Sequence, residues 1–197
     1  EGLQSLLASG RGGSPGVWID SLDYGRRLFL GGDDPWVDPA RFVNGLTQAQ
    51  HLLKSDIIDV RVGDYVASWL TREGADLKPA RRPTSDLKQI LGDDRMRAGL
   101  LSAVGTLGDL AKSCAGVALT LPSPRNWIGR CVERNGGDLN DYLDEDTIEM
   151  AAMYLADFVR IFAESGIVAI LLEEDADPGS DAVGLYQPIL NVASGYQ

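Results

Sequence analysis

Asp56-Ile57-Ile58-Asp59-Val60-Arg61-Val62 is the stretch on which the fold turns. Its β-branched residues crowd together without helical spacing, the pattern of a strand buried on both faces of a sheet. Immediately upstream, Phe42, Leu46, Ala49 and Leu53 recur at i, i+4, i+7 and i+11 behind Asp38-Pro39, which supplies an N-cap and a first-turn proline. This spacing predicts a helix that Ser55 ends. Further back, Gly10 to Gly16 reads as a flexible lead-in to Val17-Trp18-Ile19-Asp20, a first strand ending on a carboxylate.

Downstream the alternation continues. Gly74 to Asp94 is polar and interrupted by Pro79 and Pro83, and reads as an excursion between core elements. Leu100, Val104, Leu107 and Ala111 mark a second amphipathic helix that stops near Gly116. Val117 to Leu121 is the third strand, closed by Pro122-Ser123-Pro124. Asp146 with Glu149 gives a capping-box-like start to a helix striped by Ile148, Ala152, Leu155, Val159 and Phe162. Ile167 to Leu172 is the fourth strand, and Glu173-Glu174-Asp175 follow it. Strand and helix in strict alternation predict an α/β protein with right-handed crossovers and a parallel sheet, in one domain.

Composition excludes several functions. A formal charge of -11 opposes a broad phosphate-binding surface, so no nucleic-acid partner is expected. No apolar run approaches a membrane span, and Glu1 to Arg11 lacks a secretory signal's basic start and apolar centre, so the expected setting is cytoplasmic, with no membrane partner. Cys114 and Cys131 have no metal-type spacing and read as reduced packing residues. His51, the single histidine, falls near the end of a predicted helix, where it suits the helix dipole better than catalysis.

Ligands of parallel α/β proteins bind at the carboxyl ends of the strands. Those ends nominate Asp20 with Tyr24 and Arg26 after it, Asp59 and Arg61, the turn carrying Arg125 and Asn126, and Glu173, Glu174 and Asp175. Asp56, at the start of its strand, reads first as a cap on the preceding turn. The glycines of the lead-in precede a strand instead of joining strand to helix, so they form no phosphate loop. Trp18, Trp36, Trp69 and Trp127 lie in or beside predicted loops, where they can wall a pocket or pack on the core.

Four segments, in order, resemble the uroporphyrinogen decarboxylase and cobalamin-independent methionine synthase superfamily. Ser14-Pro15-Gly16-Val17-Trp18 is similar to the family's opening strand, and Lys54-Ser55-Asp56-Ile57-Ile58 resembles the segment carrying its key aspartate. Ala118 to Pro124 resembles its strand and proline turn, and Ala163 to Glu174 its glycine, strand and acid segment. The resemblance implies a parallel (β/α) barrel of TIM type, with this chain covering roughly the first half, completed by further chain or by a second copy in a homo-oligomer.

It also implies an enzyme acting on a small-molecule substrate, an organic acid or one-carbon donor, by decarboxylation or methyl transfer. Asp56 matches the family's key aspartate, and position at the predicted strand ends adds Asp20 and Glu174 as catalytic carboxylates and Tyr24, Arg26, Arg61, Arg125 and Asn126 as substrate-binding residues. No cofactor is implied in this segment, and zinc would enter only with the family's second half. The departures matter: Ile19 to Arg27 brings in Asp20 and Asp23 where the decarboxylases bind a many-carboxylate tetrapyrrole, and Arg130 falls where they carry a tyrosine. A non-catalytic homologue serving as a binding or assembly partner is the alternative.

Overall fold

A computed structural model describes residues 16–175 and 182–195; Gly10 to Pro15 of the glycine-rich lead-in lies outside the described residues. Strands β1 (Ile57–Arg61), β2 (Gly116–Pro122) and β3 (Ile167–Glu173) form one parallel sheet in the order β1-β2-β3. Its register sets Arg61 beside Thr120 and Pro122 beside Glu173.

The expected TIM-type half-barrel is not what forms. The described chain is mostly helical, and its three-stranded sheet is open. The expected first strand, Val17 to Asp20, shrinks to a single parallel bridge between Trp18 and Ile57. The cause is local: Asp20 turns away from the ladder and caps helix α1 (Ser21–Phe29), its carboxylate accepting from the Asp23 N–H. That contact satisfies an otherwise orphaned helix donor and ends any extension of the strand.

Before β1 lies α2 (Pro39–Leu53), capped by Asp38 as its sequence announces. The crossover from β1 to β2 runs through α3 (Val62–Arg72), α4 (Pro83–Gly92), α5 (Asp94–Gly105) and the short α6 (Gly108–Ala111). The crossover from β2 to β3 runs through α7 (Pro124–Asn135) and α8 (Glu145–Arg160), and α9 (Gln187–Ser194) follows β3. Gly74 to Asp94 is therefore no mere excursion. Pro83 and Pro124 are first-turn prolines that start helices, since a missing N–H costs nothing there.

One face of the sheet, with Ile58, Val60, Val117, Leu119 and Leu121, joins the main core against the helices. On the other face Ile57 and Ala118 are fully buried in a small cluster with Trp18, Ala115 and Ala169. A half-barrel would leave its inner face open to water, whereas here the second face is covered at Ile57 and Ala118. Only β3 keeps large apolar side chains in water, Val168 at 40% and Leu171 at 42% exposure. Helices α1 and α2 pack at close range through glycines: a Cβ placed on Gly25 would lie 2.6 Å from the Gly45 carbonyl oxygen.

Candidate functional site

At the carboxyl end of the sheet one guanidinium collects four carboxylates. Arg61, the last residue of β1, makes a two-pronged contact with Glu173 at the end of β3, Nη1 to Oε1 at 2.8 Å and Nη2 to Oε2 at 3.0 Å. Its Nε lies 3.2 Å from Asp64 in the first turn of α3 and 3.5 Å from Asp20, and its Nη1 lies 4.0 Å from Asp59. Strand alternation places Asp59 and Arg61 on the same face, and the parallel register brings the Thr120 hydroxyl under Asp59, to which it donates at 2.5 Å.

Asp59 is 4% exposed. Burial pushes its carboxyl up from 3.8 to about 6, and the charges of Asp20 and Glu173 push the same way; the Thr120 hydrogen bond and the Arg61 charge pull it down without cancelling the rise. For Arg61, burial alone would lower the guanidinium, but the hydrogen bond and charge of Glu173, with Asp64 and Asp20, outweigh it and the net shift is upward.

Beside this cluster opens a cleft of about 530 Å³ between α1, the turn around Pro35–Val37 and α3. Arg26, Arg61 and Arg72 line it with Asp23, Asp34 and Asp64, and Leu22, Pro35 and Trp36 form an apolar wall. Trp36 is fixed by stacking on Phe42, ring centroids 4.4 Å apart. Arg72 donates to the Trp36 carbonyl at 3.1 Å, and the Ser68 hydroxyl donates to Asp34, which ties the turn onto α3. Arg26 pairs with Asp23 at 3.0 Å and remains 42% exposed.

The residues nominated by the sequence are divided by this geometry. Asp20, Arg26 and Arg61 come together at the cleft and the strand ends. Tyr24 lies half-buried on α1. Asp56 sits at the opposite, amino end of β1, where its Oδ2 accepts from the Val17 N–H at 2.9 Å. Glu174 accepts from the Tyr186 hydroxyl, which burial first and that carboxylate next push up to about 12. Asn126, in the first turn of α7, donates to the Glu173 carbonyl at 2.9 Å and so holds the end of β3, while Arg125 beside it is half-buried.

Thr120, Asp64 and Arg72 did not emerge from the sequence. Asp64 stands three residues after Arg61 at a helix start, which is a legible ion-pair spacing. Thr120 required the register. Among the described residues no group of three or more His, Cys, Asp or Glu side chains is arranged to hold a metal ion, and no helix is long and apolar enough to cross a membrane. Compared with known proteins, the chain matches no family model, no curated protein and no solved structure.

Proposed function

We propose that the protein is an enzyme that binds a small organic acid in the cleft between α1 and α3 and that its reaction is a decarboxylation. The observation that carries this reading is the partly exposed Arg26 on a cleft that Arg61 and Arg72 also line, interleaved with Asp23, Asp34 and Asp64, beside the carboxyl end of a parallel sheet. Arg26 is the guanidinium best able to take a substrate carboxylate, because a single carboxylate occupies one of its nitrogens and much of it remains in water.

Decarboxylation is preferred to methyl transfer because part of the cleft's lining is apolar. Leu22, Pro35 and Trp36, themselves almost fully buried, back the cleft beside a carboxylate that loses its charge as carbon dioxide departs, while a second acidic group stays on an arginine. In this reading Asp56, at the other end of β1, does not contact the substrate.

Thermal melts with acetate, malonate, succinate and citrate test the proposal, followed by measurement of carbon dioxide release from any acid that stabilises. At least one acid should raise Tm, and Arg26→Ala should remove the rise while leaving the unliganded Tm nearly unchanged. Failure of every acid to raise Tm would sink the acid-binding reading; a stabilising acid that is never decarboxylated would favour a binding protein.

A further inference from the structure

Arg61 faces the cleft, yet its charge is outnumbered. Around it stand Asp20 from the segment before α1, Asp59 from its own strand, Asp64 from α3 and Glu173 from β3. Asp23 and Arg26 of α1 and Arg72 of α3 line the same cleft, and β2 contributes only the neutral Thr120 hydroxyl. One positive charge against four negative ones repels an incoming anion at close range.

Asp59 differs from its three companions. It is the farthest from the guanidinium, at 4.0 Å against 2.8–3.5 Å for the others, and it is buried with one oxygen on Thr120. It can therefore lose its charge without breaking a close ion pair.

We propose that Asp59 is a positioning residue whose proton releases part of the Arg61 charge to an anionic ligand, so that the cleft takes up an organic acid and a proton together. This rests on the acid-binding reading above. The step is a binding equilibrium: a proton from solvent joins the Asp59 carboxylate, and no other bond forms or breaks.

The sign follows from linkage. A bound anion disfavours the ionised form of Asp59, so the liganded protein holds this proton to higher pH than the free protein. Affinity should be flat and high below the free carboxyl's value of about 6 and fall as pH rises above it. The decline cannot exceed about tenfold per pH unit, because one proton is exchanged.

The test is calorimetric titration of the full chain with acetate, malonate, succinate and citrate between about pH 5 and pH 8, in buffers of different ionisation heat, with affinity and proton count corrected for each acid's own ionisation. Expected is proton uptake on binding and an affinity that weakens as pH rises. Asp59→Asn should bind as tightly at the upper end as the unaltered protein does at the lower, with no slope and no proton uptake. Thr120→Val, which removes a hydrogen bond that favours the ionised carboxylate, should move the transition to higher pH, and it serves if Asp59→Asn does not fold.

Binding with no pH slope, or a slope that persists in Asp59→Asn, overturns the coupling while leaving the acid-binding reading intact. Absence of binding by all four acids at every pH overturns both.

Discussion

Two arginines of this chain are almost equally shielded, Arg61 at 24% and Arg134 at 22% exposure, and they serve different ends because their surroundings differ in stoichiometry. Arg134 on α7 meets one carboxylate, the fully buried Asp86 of α4, at 2.5 Å, and also donates to the Leu77 carbonyl. Asp86 in turn accepts from the Ala80 N–H at 3.1 Å, while Asn135 donates to the Ala80 carbonyl at 2.8 Å. This is a matched pair that pins the segment ahead of α4 to the helix beyond β2. Arg61 meets four carboxylates beside an open cleft. A charge balanced one to one is a fastening; a charge balanced one to four retains an unmet demand for a proton or a change of partners.

The contrast can be broken most severely at Arg134. Arg134→Met leaves the Asp86 carboxylate buried with only the Ala80 N–H, and unfolding in urea should show a loss of about 3–5 kcal/mol. A loss below about 1 kcal/mol would show that this pair fastens nothing.

The next largest effect belongs to Asp59 and has the opposite sign. Its carboxyl lies near 3.8 when unfolded and about 6 when folded, so the folded state holds the proton longer. The stability this contributes is full below the unfolded value and is lost as pH rises through the folded one, amounting to about 3 kcal/mol over the window. Asp59→Asn abolishes that dependence and should be more stable than the unaltered protein at about pH 8, by up to that amount. Denaturation curves for both proteins at several pH values decide it, and equal slopes between about pH 4 and pH 6 would remove Asp59 from the account.

The smallest effect sharpens the comparison. Glu173→Gln keeps the shape of the Arg61 contact and weakens its charge, costing about 1 kcal/mol because the carboxylate is partly solvated. Since the Glu173 charge helps to raise Asp59, its removal should move the Asp59 transition to lower pH, which NMR titration of the Asp59 carboxyl carbon can follow.

Much of the sheet was legible in the sequence because its determinants are local. The runs Val117 to Leu121 and Ile167 to Leu172 are dense in branched side chains and lie in observed strands, and Asp56 to Val62 overlaps β1, which leaves out Asp56 at one end and Val62, the first residue of α3, at the other. The barrel was not legible, because closure depends on whether Val17 to Asp20 continues a ladder, and the Asp20 carboxylate settled that by capping a helix. The helices α3 and α4 were obscured for different reasons. The stripe Val62, Tyr65, Val66 and Trp69 begins where β1 ends with no turn between them, and Pro83 has the same appearance whether it breaks a segment or starts a helix.

The candidate site was half legible. Asp20, Arg26, Asp59, Arg61 and Glu173 follow from asking what lies at strand ends. The tie between Glu173 and Arg61 spans 112 positions and exists only through the register of three strands. Asp56 shows the converse: a motif match within a strand says nothing about which end of that strand faces a ligand, and here the residue lies on the far side from the cleft.

The meeting of Gly25 and Gly45 has a consequence for how the cleft can change over evolutionary time. Gly25 stands beside Arg26 on the helix that carries one wall of the cleft, with the Gly45 carbonyl close behind it. A single added methyl group there meets backbone, which cannot rotate aside, so α1 would have to shift as a rigid bar. Such a shift would carry Leu22 and Arg26 with it and alter the cleft from behind, without any cleft-lining side chain being replaced. The shape of the cleft can therefore be altered from a position that does not line it.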